Sequence, residues 1–293
     1  MGRRTPLNIS RKGHLRLILL LGLLLLAVVW LTRRPVASCA LAPAPRAEAV
    51  SSEGTGRSAS VATEGLELPA CRDRGFLVGN REGRYTLCYD TACRQAGWVA
   101  YVLTRRDVRT KGAKRRNAFR CDPEVLARGW PSATDRDYAG SGFDRGHLLP
   151  SADRDGTARE NGATFYLSNV SPQRPGLNRR MWRLLEEQVR RWADRYDSLY
   201  IVTGGELRGS LPSIGAGVAV PERYYKALLT RSAGGWHAVG FLIPNADDPP
   251  GRFPDYAMSV DELEAELDMD FFPALPHEIE RVTEARFEPE FWK

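Results

Sequence analysis

The chain has 293 residues, with 42 Lys and Arg against 36 Asp and Glu, and a sequence pI near 9.2. At 43% hydrophobic and 27% charged it has an ordinary globular composition, which excludes a disordered or fibrous chain and allows one substantial core. The basic surplus is unevenly placed: "RRDVRTKGAKRRNAFR", Arg105–Arg120, holds eight basic residues and one acid, Asp107, while the chain from Asn245 onward is acidic. A segregated positive patch suits a polyanionic partner, although a solvated, charge-rich loop looks the same in sequence.

The first residues are basic and lead into an apolar run of sixteen, "LILLLGLLLLAVVWLT", from Leu17 to Thr32. A membrane span needs about 17–25 residues, and Leu15 with a snorkelling Arg16 extends this one. More positive charge lies before the run than after it, which keeps the N-terminus in the cytosol and exports the rest. Cleavage as a signal peptide is the rival, because "VASCALA" around Cys39 supplies small residues. Residues 1–34 are therefore expected to be a basic stub and anchor or signal segment. Residues 35–65, rich in Ala, Ser, Gly and Pro, are expected to be a tether, and residues 66–293 the folded domain. Four cysteines of that domain, Cys71, Cys88, Cys93 and Cys121, read as two disulfides with the connectivity open. A zinc site is the weaker alternative, since the four do not form two close pairs and no His accompanies them.

"RYTLCYD" and "GWVAYVLT" read as an antiparallel pair whose turn holds Thr91, Ala92 and Cys93. Further strand candidates are Thr164–Val170, Ser198–Gly205, Tyr224–Thr230 and Trp236–Pro244. The strongest helix runs from about Asn178 to Tyr196, with Met181, Leu185, Val189 and Trp192 on one stripe. A second is "SVDELEAELDMDF", with Ser259 as N-cap and acids in its first turn. Strands and helices do not alternate regularly, so the expected class is mixed α+β.

One stretch concentrates polar groups: "SGFDRGHLLPSAD", with Asp144, Arg145 and His147. A strand follows and then the long helix, on which Asn178 and Glu186 stand eight residues apart and on the same side, near the apolar stripe. Each residue has an ordinary reading as well. Asn178 could cap the helix, Glu186 could pair with Arg183 or Arg190, and His147 could be a satisfied structural histidine. Of four His residues, His147 alone sits in polar company: His14 precedes the apolar run, His237 lies in an apolar strand and His277 in the acidic tail.

"DRGHLLPSAD" followed by "TFYLSNVSPQRPGLNRRMWRLLEEQ" resembles the DNA/RNA non-specific endonuclease family. The likeness runs from about Arg84 to Ile243 and rests on DRGH, SN-x-x-PQ, LN and W-x-x-x-E arriving in the family's order. It implies a mainly antiparallel sheet with a ββα-metal (His-Me finger) core. It also implies His147 as general base, Asn178 as the direct protein ligand of Mg2+ (Mn2+ as substitute) and Glu186 as holder of metal-bound water. Arg145 and Arg116 would contact phosphate, with Arg115 standing beside the latter, while Asp144 and Asn169 brace the site. Arg105, Arg106, Arg109, Lys111, Lys114, Arg115 and Arg120 become surface that tracks the backbone of DNA or RNA. Phosphodiester hydrolysis to 5′-phosphate and 3′-hydroxyl ends is the implied reaction, and a homodimer is known among relatives. A catalytically silent nucleic-acid-capture module at the cell envelope is the alternative from another class.

Overall fold

The computed structural model describes residues 64–71 and 75–293, together with the backbone of Ala37–Ser38. The run Leu17–Thr32, most of the expected tether and Cys39 lie outside the described residues. No helix among the described residues is long and apolar enough to cross a membrane.

Three strands, β1 (Gly75–Asn80), β2 (Tyr85–Asp90) and β3 (Gln95–Thr104), form an antiparallel meander. A one-turn helix α1 (Arg105–Arg109) follows, capped by Thr104 and Asp107. After an irregular segment come two short strands, β4 (Asp144–His147) and β5 (Val170–Gln173), paired only with each other. Then come helix α2 (Arg183–Tyr196) and the strands β6 (Ser198–Gly205), β7 (Arg223–Ser232), β8 (Gly235–Pro244) and β9 (Ala257–Met258). Two helices, α3 (Val260–Leu267) and α4 (His277–Glu284), close the chain. The main sheet has seven strands in the order β9-β8-β7-β6-β3-β2-β1, and every neighbouring pair is antiparallel. This is the mixed α+β class, with a mainly antiparallel sheet.

The sheet is buried on both faces, so its strands are apolar on both. Tyr101, Ile201, Leu228 and Val239 point to one side and meet Trp182, Leu185, Val189 and Trp192 from the long helical segment. Tyr200, Val202, Ala227 and Leu229 point to the other and meet Val260, Leu263 and Leu267 of α3. Each fully buried large apolar side chain contributes about 1.5–3 kcal/mol, so this sandwich fixes α2 against the sheet. Ser259 caps α3 in a reciprocal box with Glu262, as the sequence indicates.

Three expectations need correction. Thr164–Val170 is not a strand: after a turn, Leu167–Asn169 forms a 3-10 turn, and β5 begins only at Val170. Side-chain bonding overrides the β-branched and aromatic composition there. Asn169 receives the Leu149 N–H at 2.9 Å and donates to the Leu149 and Thr164 carbonyls at 3.0 and 2.8 Å. The long helix is not regular from Asn178 on: it opens at Pro175, Leu177–Trp182 is π-helical, and regular winding resumes at Arg183. Nor do the four domain cysteines form two disulfides among themselves. Cys71 and Cys88 are joined and Cys93 is disulfide-bonded, but Cys121 keeps a free thiol directed at the Ala133 carbonyl.

The β4–β5 ribbon depends on Gly146. A Cβ there would stand 2.3 Å from the Gln173 side chain across the pair, so any other residue must displace that buried glutamine. Asn169 fixes the other end, clasping the chain just beyond His147. Truncation to Ala would leave the buried Leu149 N–H and carbonyl unpaired, at about 1–3 kcal/mol for each such group. Asn169→Ala should therefore lose about 2–5 kcal/mol in denaturant unfolding, and a loss under 0.5 kcal/mol would show that the clasp carries no weight.

Candidate active site

β4 delivers Asp144, Arg145 and His147, and the helix facing it delivers Asn178, Glu186 and Arg190. All but Asp144 line a cleft of about 340 Å³, which Arg115 enters from the irregular segment before β4.

Asp144 organises one wall. Its Oδ2 accepts from Asn178 Nδ2 at 2.9 Å, and Arg179 holds both carboxylate oxygens at 2.8 and 2.6 Å. Burial alone would raise this carboxyl, but the Arg179 and Asn178 hydrogen bonds hold it below the usual carboxylate range. Asn178 does not cap the helix but lies inside it, its backbone N–H donating to the Arg174 carbonyl at 2.9 Å and its side chain to Asp144. With Nδ2 committed to Asp144, the amide carbonyl oxygen of Asn178 is the atom left for another partner.

His147 ends β4, packed between Phe119 at 5.4 Å and Phe165 at 4.9 Å between ring centroids. Its Nε2 is buried without a hydrogen bond. Burial, helped by the Arg115 charge, pushes the imidazole down to about 3, so it is neutral at ordinary pH. Arg145 leans on Phe119 and Tyr138 and pairs with Asp135, its Nε 2.6 Å from Oδ1.

Glu186 pairs with neither helix neighbour proposed for it. Arg183 pairs with Glu187, and Arg190 with the buried Asp153 at 3.0 Å. Burial pushes Glu186 above the usual carboxylate range, opposed by Lys226, while Asp153 adds to the rise. Lys226 is 1% exposed, its Nζ over the Trp182 ring at 5.1 Å and without a hydrogen bond. Burial pushes it below the usual lysine range. Lys226 and Arg190 are functional candidates that the sequence reading passed over. Their signals were a lone Lys inside the apolar "YYKALLT" and a basic residue one turn beyond Glu186.

The basic run divides in two. Arg105 pairs with Asp197, Arg109 with Asp194 and Lys111 with Asp155, so these three are partly neutralised as they tie α1 and its flank down. Arg106 is exposed on α1. Lys114, Arg115, Arg116 and Arg120 are exposed and, among the described residues, in no ion pair; Arg115 lies over Phe165 and Arg120 over Tyr166. Arg115, not Arg116, reaches the cleft.

A neutral buried imidazole, an amide oxygen, a carboxylate and several guanidiniums facing one cavity make a donor set that fits a hard, oxygen-seeking cation beside a phosphate. The ribbon and the following helix make a ββα core that carries this set, the arrangement of a nuclease. Residues 74–278 match the DNA/RNA non-specific endonuclease family, and the chain belongs to that family. It is 34% identical over 223 residues to "Nuclease" of Nostoc sp., covering 73% of this chain and 79% of that one. Human mitochondrial endonuclease G is 38% identical over 174 residues, 55% of this chain, and the match spans 58% of that relative's length. Among solved structures, a chain of the EndoG/EndoGI complex superposes with a TM-score of 0.63 at 26% identity, covering 76% of this chain and 96% of that one.

The depressed imidazole has a consequence for stability. The unfolded chain binds a proton at His147 near the ordinary value of 6.5, whereas the folded chain refuses it until about 3. Stability contributed here is thus present above pH 6.5 and lost as pH falls through that window, by at most about 1.4 kcal/mol per pH unit. Wild type should lose up to about 2–3 kcal/mol more than His147→Phe between pH 6.5 and 4.5 in denaturant titrations. Parallel pH dependences would mean that the imidazole protonates freely in the folded state.

Proposed function

We propose that the protein is a Mg2+-dependent, sugar-non-specific endonuclease that hydrolyses DNA and RNA to 5′-phosphate and 3′-hydroxyl ends. One observation carries the reading: a buried neutral imidazole with an unbonded Nε2 and an Asn178 amide whose nitrogen is already committed to Asp144 line one cleft. His147 takes the proton of the attacking water as general base. Asn178 would hold the metal through its carbonyl oxygen, with Glu186 beside it to accept from water there. When bound, the metal neutralises charge on the scissile phosphate and the leaving 3′ oxygen.

The remaining work falls to the arginines. Arg145 and Arg115 stabilise the charge that builds on the phosphoryl group, taking the place expected for Arg145 and Arg116. The phosphate between them also screens Arg115 from His147, which relieves part of the depression of the imidazole and makes it a stronger base when substrate is present. Lys114, Arg116 and Arg120 follow the backbone without reading bases. We further propose that the catalytic domain lies outside the cytosol, anchored by Leu17–Thr32 or released by cleavage after it. The charge bias flanking that run supports this, and so does the Cys71–Cys88 disulfide, which suits an oxidising compartment.

Supercoiled plasmid and RNA, each with Mg2+ and with excess chelator, test the reading. His147→Ala should cut both about 10²–10⁴-fold more slowly while DNA affinity stays within a few-fold of wild type. Unchanged cleavage would place the base elsewhere. Wild-type binding without cleavage across several divalent metals would instead favour the capture module. Asn178→Ala should keep the fold but need far more metal for any turnover, and an unaltered metal requirement would remove Asn178 as the ligand.

A further inference from the structure

A second group of acids lies on the opposite face of the main sheet from α2. Asp261 and Glu264 project from α3, and Glu284 ends α4. Each offers a carboxylate oxygen, and the three oxygens lie within 4.8 Å of one another. Two oxygens that share one Ca2+ at about 2.4 Å each stand no more than about 4.8 Å apart, so the spacing accommodates that ion.

Acid clusters are common on surfaces, but this one reaches inward. Glu284 is 2% exposed, and its Oε1 is buried without any hydrogen-bond partner. A buried carboxylate is ordinarily paired, because an unpaired charge there is costly. Burial pushes Glu284 up to about 9, and the acids Glu264, Glu280, Asp270 and Asp261 add to the rise. Glu264 gives one oxygen to the Phe271 N–H at 2.7 Å, which orients the carboxyl and leaves its second oxygen available. No Lys, Arg or His among the described residues forms an ion pair with Asp261, Glu264 or Glu284. The arrangement asks for a cation that the polypeptide does not supply.

We propose that Asp261, Glu264 and Glu284 form a second divalent-cation site, of calcium-binding chemistry, that ties α3 to α4. The site is separate from the catalytic cleft, and its Glu284 lies beyond the family-matched residues 74–278. Carboxylate oxygens alone select a hard cation over zinc or copper. The open side at the exposed Asp261 leaves room for the waters or further oxygens that complete six to eight ligands.

Thermal unfolding of the whole protein in chelator-stripped buffer, with and without added CaCl2, tests this. A ligand at a hundredfold excess over its Kd should raise the unfolding temperature by about 5–10 °C in a domain of this size. Wild type and Asn178→Ala should both show that rise, whereas Glu284→Gln and Asp261→Asn should show little or none. Asp261 is exposed, so Asp261→Asn decides the matter should Glu284→Gln fail to fold. No rise in wild type would overturn the proposal, as would an equal rise in both carboxylate variants. A rise that vanishes in Asn178→Ala would place the calcium in the catalytic cleft and overturn it too.

Discussion

The carboxylate of Asp144 is the fixed point of the cleft. It binds the Asn178 amide nitrogen and both arms of the contact from Arg179, so β4 and the start of the long helix cannot turn independently. An asparagine side chain left alone presents its nitrogen and its oxygen about equally well, and only the second serves a cation. Asp144 removes that ambiguity. The demand then passes backward through the fold. Asp144 must stay at the mouth of the ribbon, the ribbon must close at Gly146, and the chain leaving His147 must be held by Asn169.

Positive charge dominates the rest of the cleft. Arg115, Arg145, Arg183 and Arg190 line it, and Lys226 stands buried behind Glu186. Such crowding is unfavourable without an anion; burial, helped by Arg115, keeps His147 neutral. The fold tolerates it by tying guanidiniums to neighbours outside the reaction: Arg145 to Asp135, Arg183 to Glu187 and Arg190 to Asp153. Arg115 has no such acid, and that leaves its charge available in the cleft. Stability is sacrificed locally for a cavity that receives phosphate.

Much of this was legible in the sequence because it is local. The apolar strands of the main sheet, the Met181–Trp192 stripe and the Ser259 cap follow from composition, periodicity and capping chemistry. The family resemblance groups Asp144, Arg145, His147, Asn178 and Glu186, and the structure brings them together at the cleft. What failed was non-local. Thr164–Val170 has strand composition, yet the Asn169 side chain bends it through contacts twenty residues away. Choosing between Arg115 and Arg116 required knowing which neighbour faces Phe165. The basic run could not be divided into neutralised and free charge, because Asp194 and Asp197 lie some eighty residues further on.

Glu186 and Glu284 show how far surroundings decide the use of one side chain. Burial raises both carboxyls. Around Glu186 stand Lys226, Arg190 and Arg115, cations that favour its ionised form against burial and the opposing Asp153. Around Glu284 the leading charges are acidic, and they add to burial in favouring the protonated acid. The first environment holds a charge among cations. The second holds a proton, which a cation among the oxygens would have to displace. Two buried glutamates in one chain are thus set apart by the sign of their neighbours rather than by their depth.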